Sequence, residues 1–282
     1  MDKPPLHSKT ALFKWTKKVL REYNIRPREK YSQSFSIDPF LIKSVVNSVC
    51  SLDCKCVCEI GSGLGTLTYY LAEKCYRVIA IEIDKVLALV TSRVLEKSYN
   101  TVIINGDGLE VPWNCDCTVS NTPYNITSDI LIKLARTNTV KYGVFVLQKE
   151  VVDRLKATPG SRDYGRLTVL IKLLFDIEAG PVFHPDSFYP KPKVFSQLVI
   201  LRRKHNYEAV HSILEEVTRV IFSEKRKKAI SVLNRKLGID YETLRSIGLS
   251  EDLRVYELCP EMIMNIARTV MEKRYMLRKD YG

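Results

Sequence analysis

Short apolar segments alternate with amphipathic segments through the middle of this chain, and this alternation restricts the fold more than any other feature. Strand-like apolar runs occupy 56–60, 77–83, 101–105, 117–120 and 143–147, and helix-like segments lie between them at 66–74, 85–96 and 128–136. Strand–helix repeats joined by short loops are typical of a parallel sheet with helices on both faces. We therefore predict an α/β fold.

The alternation ends in the second half of the chain. Apolar runs at 167–177 and 196–202 flank a proline-rich loop, and we predict that they form an antiparallel pair closing the edge of the sheet. From residue 207 onward the apolar residues have helical spacing. The predicted organisation is a basic N-terminal arm at 1–30, a sheet domain at 31–204 and a small helical domain at 205–282.

A glycine-rich segment follows the first predicted strand. It reads Glu59-Ile60-Gly61-Ser62-Gly63-Leu64-Gly65, and glycine at such a turn lets the backbone approach a ligand closely. The dinucleotide fingerprint would need a glycine at Thr66, so the loop favours a ligand without a pyrophosphate. Glu82 and Asp107, at the ends of the next two strands, suit a ribose diol and an adenine amine. Together these features favour S-adenosylmethionine over NAD, with Glu59, Gly61, Gly63, Glu82 and Asp107 as its binding residues.

A second polar loop follows the strand at 117–120. It reads Asn121-Thr122-Pro123-Tyr124-Asn125, and this Asn-x-Pro-Tyr pattern resembles the loop of methyltransferases that act on exocyclic amines of bases. We expect the Asn121 side chain and the Pro123 carbonyl to accept the N–H bonds of the amine. We expect Tyr124 to stack on the flipped base and Phe188 to cover its other face. The sulfonium of the donor supplies a good leaving group, a neutral thioether, so no metal is expected.

Four further segments show which family the chain resembles. They are QKEVVDRL at 148–155, PGSRDYGRL at 159–167, FYPKPKV at 188–194 and FSEKRKK at 222–228. With the two loops, they make the chain similar to the small-subunit rRNA adenine dimethyltransferase family over about residues 30–275. The resemblance implies a Rossmann-like, seven-stranded class I methyltransferase sheet with a small C-terminal helical domain. It also implies dimethylation of two adjacent adenosines near the 3′ end of small-subunit rRNA.

The resemblance also assigns residues to the methyl-donor site. It places Gly61, Glu82, Asp107 and Asn121 there, together with Gln33, Ser34 and Ser36 from an N-terminal segment. The family's Gly-Gln-Asn/His-Phe-Leu pattern reads Ser32-Gln33-Ser34-Phe35-Ser36 here, so three of five positions differ. The usual side-chain contacts of this segment are therefore open, whereas its backbone contacts can be kept.

Positive charge points to the partner. The formal net charge is +12, and residues 1–30 hold 9 Lys and Arg against 3 Asp and Glu. This excess favours a polyanion, here small-subunit rRNA in a pre-ribosomal small subunit. For the run at 225–228, a solvated helix face is the alternative to phosphate contact. The residues expected to contact RNA phosphates are Lys149, Arg154, Arg162, Arg166, Lys225, Arg226, Lys227 and Lys228.

The cysteines and the distribution of apolar residues indicate in which part of the cell the protein is expected. The eight cysteines are scattered, and the alternation of Cys54, Cys56 and Cys58 favours buried thiols in a reducing cytosol over a metal site. Since the chain shows neither an apolar run of about 18 residues nor a secretory signal, we expect a cytoplasmic monomer with no membrane partner. Two other functions stay open: a large-subunit rRNA adenine methyltransferase of the antibiotic-resistance type, and a mainly non-catalytic ribosome-assembly factor that binds nucleic acid.

Overall fold

A seven-stranded sheet lies at the centre of this computed structural model, which describes residues 1–28 and 33–279. The order of its strands is β4-β3-β2-β5-β6-β9-β7, and β1 and β8 form a separate two-stranded sheet. The strands are β1 (Phe35–Ser36), β2 (Cys56–Ile60), β3 (Arg77–Glu82), β4 (Thr101–Asn105), β5 (Cys117–Asn121), β6 (Tyr142–Gln148), β7 (Phe175–Phe183), β8 (Phe188–Tyr189) and β9 (Ser196–Arg203).

Helices follow most of the strands, as the alternation in the sequence predicts. Among the described residues they are α1 (Lys9–Glu22), α2 (Pro39–Cys50), α3 (Thr66–Ala72), α4 (Lys85–Val94), α5 (Thr127–Arg136), α6 (Lys149–Lys156), α7 (Arg166–Leu174), α8 (Ala209–Ile221), α9 (Ala229–Leu237), α10 (Tyr241–Ser246) and α11 (Pro260–Lys279). In the part of the chain that the structure describes, none is long and apolar enough to cross a membrane.

The parallel register of the sheet brings several loops to one edge. Strands β4, β3, β2, β5 and β6 run parallel, and β9 is antiparallel to β6. Ile60 is aligned with Ile81, and Glu82 with Asn105, so β2, β3 and β4 end at the same level. Since β3 and β5 flank β2 on opposite sides, the strand order reverses there, which is where open α/β sheets bind ligands. The α/β prediction, including its seven strands, is confirmed.

The segment at 167–177 differs from its prediction. It does not form a strand: Arg166–Leu174 is helix α7, and β7 begins only at Phe175. Val169, Leu170 and Ile171 are all buried, so the helix is apolar around most of its circumference. A short continuous apolar run is compatible with either a buried strand or a buried helix, and periodicity alone does not separate the two. β7 does lie beside β9 at the edge of the sheet, as expected.

The N-terminal arm is not a loose extension. Helix α1 begins at the N-cap Ser8, whose hydroxyl accepts a hydrogen bond from the Ala11 amide at 3.1 Å. Leu12, Trp15 and Val19 form its buried face and pack in one apolar cluster with residues of α4. The spacing of three and four residues between them is that of an amphipathic helix. The basic arm predicted at 1–30 is therefore a packed part of the sheet unit; Glu29 and Lys30 lie outside the described residues.

The chain divides into two compact units. One unit comprises Met1–Val152 and Ile177–Arg203, and the other comprises Asp153–Asp176 and Lys204–Gly282. The division at 203/204 lies at the predicted boundary, but the second unit also includes 153–176, which the sequence assigns to the sheet domain. Packing explains the difference, because α7 contacts α8 and α11 within this unit.

The cysteines differ in part from the expectation of free thiols. Cys56 and Cys115, whose Cα atoms lie 4.8 Å apart, are joined by a disulfide. Cys58 and Cys117 are buried free thiols, in agreement with the alternation along the strands. Sequence spacing pairs Cys56 with Cys54 and Cys58, whereas the parallel sheet places β2 beside β5 and so brings the segment before β5 close to it. Among the described residues no group of His, Cys, Asp and Glu could hold a metal ion.

The packing of α1 generates the first testable prediction. Leu12 is fully buried, so Leu12→Ala should lower the free energy of unfolding by about 2–5 kcal/mol through lost apolar contacts and a cavity. Urea unfolding followed by circular dichroism measures this change. Lys14→Ala, on the exposed face of the same helix, should change the free energy by less than about 0.5 kcal/mol. Equal unfolding curves for Leu12→Ala and the unmodified protein would contradict the packing of α1.

Candidate active site

A pocket of about 270 Å³ opens at the edge where β2, β3, β4 and β5 end. It lies within the sheet unit. All nine residues that the sequence proposes for the donor site line it: Gln33, Ser34, Ser36, Glu59, Gly61, Gly63, Glu82, Asp107 and Asn121. Pro123 also lines the pocket, but Tyr124 and Phe188 are not among its lining residues.

The glycine loop after β2 has the backbone that its sequence predicts. Gly61 and Gly63 have φ values of +78° and +57°, in the left-handed region that side chains other than glycine rarely adopt. A Cβ built on Gly61 would meet no atom within 4 Å, so the space above this residue is open. The Gly61 amide donates to the Ile81 carbonyl at 2.8 Å, which fixes the start of the loop to β3.

Glu82 joins the first two loops of the site. Its carboxylate accepts one hydrogen bond from the Gly63 amide at 2.8 Å and another from the Asp84 amide at 2.9 Å. Burial raises the pKa of Glu82, and the backbone hydrogen bonds oppose that shift. Each carboxylate oxygen has a further lone pair, so Glu82 can still accept hydrogen bonds from a ligand's hydroxyl groups.

Glu59 is a buried acidic residue in the pocket whose pKa is strongly raised. The side chain is 2% exposed, and burial raises its pKa to about 8. Its Oε2 atom meets no donor at good hydrogen-bond geometry in the described part of the chain, although the Thr68 hydroxyl lies close enough to oppose the rise in pKa. A buried acceptor without a partner costs free energy, which a ligand donating a hydrogen bond or carrying positive charge would recover. Glu59 therefore provides an acceptor for a cationic group.

Gln33 brings a hydrogen-bond donor to the pocket, whereas Glu59 brings an acceptor. Its Oε1 atom accepts a hydrogen bond from the Arg28 amide at 2.8 Å, which fixes the orientation of the side-chain amide. Its Nε2 atom is buried and has no partner among the described residues. The pocket therefore contains both an unpaired donor, on Gln33, and an unpaired acceptor, on Glu59. Ser32, the first residue of this segment, lies outside the described residues.

Asn121 is held by the segment around Ser34. Its Nδ2 atom donates to the Ser34 carbonyl at 3.2 Å, and the Ser34 hydroxyl donates to the Pro190 carbonyl at 2.7 Å. This arrangement uses the backbone of Ser34, so the contact does not depend on which side chain stands there. Because the amide nitrogen of Asn121 is engaged, its Oδ1 atom is left as an acceptor beside the pocket.

The Pro123 carbonyl is already engaged. It accepts hydrogen bonds from the Ile126 amide at 3.2 Å and from the Thr127 hydroxyl at 3.3 Å. A carbonyl oxygen has two lone pairs, so a substrate N–H would compete with these internal donors. Asn121 Oδ1 is consequently the acceptor that this loop makes available in the structure.

The two aromatic residues expected around the base differ in their surroundings. The hydroxyl of Tyr124 lies 2.9 Å from the hydroxyl of Ser196, which is 1% exposed, and burial raises the pKa of Tyr124. Phe188 is 3% exposed and belongs to the apolar core under the sheet. The fold thus places Phe188 in the core, and the half-buried aromatic residue beside it is Tyr189.

Comparison with known proteins identifies the family. Residues 24–272 match the family described as Ribosomal RNA adenine dimethylase. The chain belongs to this family. This match confirms the resemblance seen in the sequence motifs.

Curated relatives of the dimethylase family cover most of the chain. One, from Pyrobaculum islandicum, is named probable ribosomal RNA small subunit methyltransferase A and is 38% identical over 242 residues, 85% of this chain and 94% of its own. Another, ribosomal RNA small subunit methyltransferase A of Halothermothrix orenii, is 33% identical over 285 residues, 92% of this chain and 93% of its own.

Two solved structures share the fold. A dimethyladenosine transferase from Plasmodium falciparum matches with a TM-score of 0.75 and 24% identity, covering 85% of this chain and 98% of that one. The 23S rRNA methyltransferase ErmE matches with a TM-score of 0.64 and 26% identity, covering 84% and 99%. The class I methyltransferase fold predicted for the chain is confirmed.

The basic residues that the sequence proposes for RNA contact differ in their partners within the protein. In the second unit, Lys225 donates to the Arg162 carbonyl at 2.8 Å, and both residues line a cleft with Arg226 and Arg254. Lys227 and Lys228 form ion pairs with Glu224 at 2.8 Å and Asp252 at 3.1 Å. Three further exposed residues lie on the helices on either side of the 157–165 loop: Lys149 and Arg154 on α6 and Arg166 on α7.

Sequence reasoning did not find the apolar and supporting residues of the dimethylase pocket. Ile83 and Leu109, each close to a predicted acidic residue, line the pocket and could flank a flat ring. Lys133 lies outside it and donates to the carbonyls of Leu109 at 2.6 Å and Val111 at 2.8 Å, which holds the loop after β4. The only sequence feature that points to Ile83 as a pocket residue is its position next to Glu82. No sequence feature points to Lys133, because its hydrogen-bond partners lie more than 20 residues away in the chain.

Glu59 gives a prediction that needs no ligand. Because the folded state raises its pKa to about 8, the protonated form is favoured by folding, and stability is full below the unfolded pKa. It falls as the pH rises toward 8, by at most about 1.4 kcal/mol per pH unit. The free energy of unfolding, measured by urea unfolding between pH 5 and pH 8, should therefore fall less steeply in Glu59→Gln.

The matched control is Glu110→Gln, which changes an exposed carboxylate outside the pocket lining. It should retain the slope of the unmodified protein. If Glu59→Gln and the unmodified protein lose stability equally over this range, Glu59 is not protonated in the folded state.

Proposed function

We propose that the chain transfers methyl groups from S-adenosylmethionine to the exocyclic amines of two adjacent adenosines near the 3′ end of small-subunit rRNA. Membership of the dimethylase family sets the reaction class. The observation that carries the proposal is the orientation of Asn121, whose amide nitrogen is bound to the Ser34 carbonyl and whose oxygen is left beside the donor pocket. Such an acceptor is what an adenine amine requires.

The pocket fits S-adenosylmethionine at both of its ends. The amino-acid end carries an ammonium and a carboxylate, which match the unpaired acceptor of Glu59 and the unpaired donor of Gln33. At the nucleoside end, Glu82 would accept from the ribose and Asp107 from the adenine amine, with Ile83 and Leu109 against the ring. When bound, this cofactor supplies a methyl group on a sulfonium, which needs no metal to leave.

Asn121 would orient the substrate amine. The lone pair of an adenine amine is delocalised into the ring, so the amine is a weak nucleophile in its planar form. An N–H bond held by Asn121 Oδ1 would direct the lone pair toward the donor methyl, and orientation of this kind is a major source of rate enhancement. The Ser34 carbonyl acts through Asn121 because it fixes which end of the amide faces the pocket.

Tyr124 would stack on the extruded base. Stacking on an aromatic ring contributes about 1–3 kcal/mol per base, comparable to the cost of unstacking. The hydrogen bond to Ser196 holds the Tyr124 ring from its far end. We therefore assign the hydroxyl to the stability of this loop and the ring to stacking. Phe188 is packed in the core, so Tyr124 is the aromatic residue of this pair that we assign to the base.

The cleft in the second unit would take an RNA phosphate. Arg162, Arg226 and Arg254 line it, and Lys225 is fixed there by its bond to the Arg162 carbonyl. Arginine suits phosphate because its planar donors match the anion's oxygens. We place the reaction in the cytoplasm, on an rRNA held in a pre-ribosomal small subunit, with the enzyme acting as a monomer.

The similarity to ErmE supports a second candidate substrate, the large-subunit rRNA. Purified protein should be incubated with labelled S-adenosylmethionine and unmethylated small or large subunits, and the modified adenosines mapped. Label in two adjacent adenosines near the 3′ end of the small-subunit rRNA supports the proposal. Label confined to large-subunit rRNA would replace it with the second candidate, and binding of both RNAs without methylation would favour a non-catalytic assembly factor.

Substitution of Asn121 tests the acceptor role. Asn121→Ala should bind S-adenosylmethionine normally, because other residues supply most of the donor contacts, while methyl transfer should fall by about 100-fold, as for the loss of other fixed transition-state hydrogen bonds. Calorimetry measures donor binding, and single-turnover kinetics measure transfer. Asn47→Ala, an exposed asparagine on α2, is the matched control and should keep both. Normal turnover by Asn121→Ala would refute the role.

Variants of Tyr124 separate its ring from its hydroxyl. Tyr124→Ala should lower the rate of transfer about 5- to 150-fold, the equivalent of 1–3 kcal/mol of stacking. Tyr124→Phe should keep the ring but leave the buried Ser196 hydroxyl unpaired, so its thermal stability should fall. Adding Ser196→Ala to Tyr124→Phe should restore stability with near-normal transfer. A double variant as slow as Tyr124→Ala would point to a hydroxyl role in catalysis.

A further inference from the structure

The outer face of helix α1 carries most of the charge of the N-terminal segment. Opposite the buried Leu12, Trp15 and Val19, the helix presents basic residues at three- and four-residue spacing. They are Lys14, Lys17, Lys18 and Arg21, with one acidic residue on the helix, Glu22; Lys9, the first residue of the helix, is not on this face. Neighbouring cations on such a face are about 5 Å apart along the helix axis. We call these four basic residues the α1 basic face.

Few internal partners neutralise the α1 basic face. Lys18 pairs with Asp2 at 3.0 Å, and both side chains are largely exposed. Lys14 and Arg21 are exposed, and neither has an ion-pair partner in the described part of the chain. Folding therefore leaves positive charge on this face, where it can attract an anion.

Contacts connect the α1 basic face to the catalytic loop. Lys17 Nζ lies 5.2 Å from the ring centre of Phe13, and the Phe13 ring packs edge-on against Tyr189 at 5.4 Å. The next residue after Tyr189, Pro190, accepts the hydrogen bond from Ser34, whose own carbonyl holds Asn121. Lys17 is thus connected through four successive contacts to Asn121, the residue proposed to bind the target amine, all within the sheet unit.

The position of α1 relative to the family is informative. The family match begins at residue 24, so α1 lies wholly before it. The match to the family therefore does not account for the charge of α1. The core packing of Leu12 and Val19 explains why the helix is retained on the sheet unit, and this packing does not involve the cations on the opposite face.

We propose that the α1 basic face binds backbone phosphates of the rRNA that flank the target adenosines. This inference rests on the proposed function, because it assumes an RNA substrate at the adjacent site. RNA is favoured over an apolar partner because the face presents cations and one half-buried aromatic ring, Phe13, and lacks an exposed aliphatic stripe. Phosphate contacts set the position of the RNA without reading its sequence.

The test removes three charges and measures binding as a function of salt. Full-length Lys14→Gln/Lys17→Gln/Arg21→Gln is compared with the unmodified protein for binding to unmethylated small subunits between 50 and 200 mM KCl. Each lost phosphate contact should lower the slope of log K against log salt by about 0.7–0.9, so the triple variant should lose about 2 to 3 units of slope. Its KM for the RNA should rise more than its kcat falls.

A matched control removes the same number of positive charges at the edge of the sheet where the amino ends of the strands lie. Lys55, Lys97 and Lys141 are exposed and precede β2, β4 and β6, so they lie toward the amino ends of the strands, away from the pocket. The variant Lys55→Gln/Lys97→Gln/Lys141→Gln should keep the slope and KM of the unmodified protein. Thermal unfolding and S-adenosylmethionine affinity should be unchanged in both triple variants, which shows that fold and donor site are intact.

The outcomes separate this inference from the proposed function. Equal slopes and KM values for the two triple variants would overturn the role of the α1 basic face while leaving methylation in place. Loss of binding to phosphatidylserine vesicles with unchanged RNA binding would assign the face to a membrane surface instead, and so also overturns the inference. Absence of methylation by the unmodified protein would count against the proposed function itself.

Discussion

The site depends on the parallel alignment of β2, β3 and β4, which end at one level beside β5. Each strand end delivers a different group: the glycine loop, a buried carboxylate, an exposed carboxylate and an asparagine. Hydrogen bonds across the strand ends, such as Gly63 to Glu82 at 2.8 Å, then fix these groups relative to one another. A shift of one residue in the β2–β3 register would reverse which side chains face the pocket and would break this bond. The chemistry of the pocket is therefore a consequence of strand register.

Much of the donor site could be predicted because its determinants are local. Gly61, Glu82 and Asp107 each stand directly after a strand, and strand ends are visible in hydrophobic patterns. The link between Asn121 and Ser34 could not be predicted in the same way, because the two residues are 87 positions apart and the contact uses a backbone carbonyl. The same holds for Tyr124 and Ser196, which are 72 positions apart. Tertiary hydrogen bonds of this kind leave no pattern along the chain.

Other differences between prediction and structure arise because some apolar patterns are compatible with more than one structure. The run that begins at Leu167 forms a buried helix, since helix and strand both satisfy a fully apolar sequence of this length. Phe188 stands beside a functional loop in sequence, yet its ring is in the core. Helix α1 shows the opposite case: the spacing of Leu12, Trp15 and Val19 is amphipathic and predicts a packed helix, whereas the basic residues around it are typical of a solvated arm. The basic residues of this segment face solvent, and its regularly spaced apolar residues pack it against the sheet unit.

Helix α7 has a consequence for any attempt to divide the protein. The second unit is discontinuous, because it combines 153–176 with the C-terminal part of the chain. A truncation at residue 204 would keep α7 but remove α8 and α11, the helices on which it packs. Val169, Leu170 and Ile171 would then face water as an apolar surface prone to self-association. Isolating the sheet unit would therefore require removal of 153–176 as well, and during synthesis the apolar face of α7 stays exposed until α11 has been made.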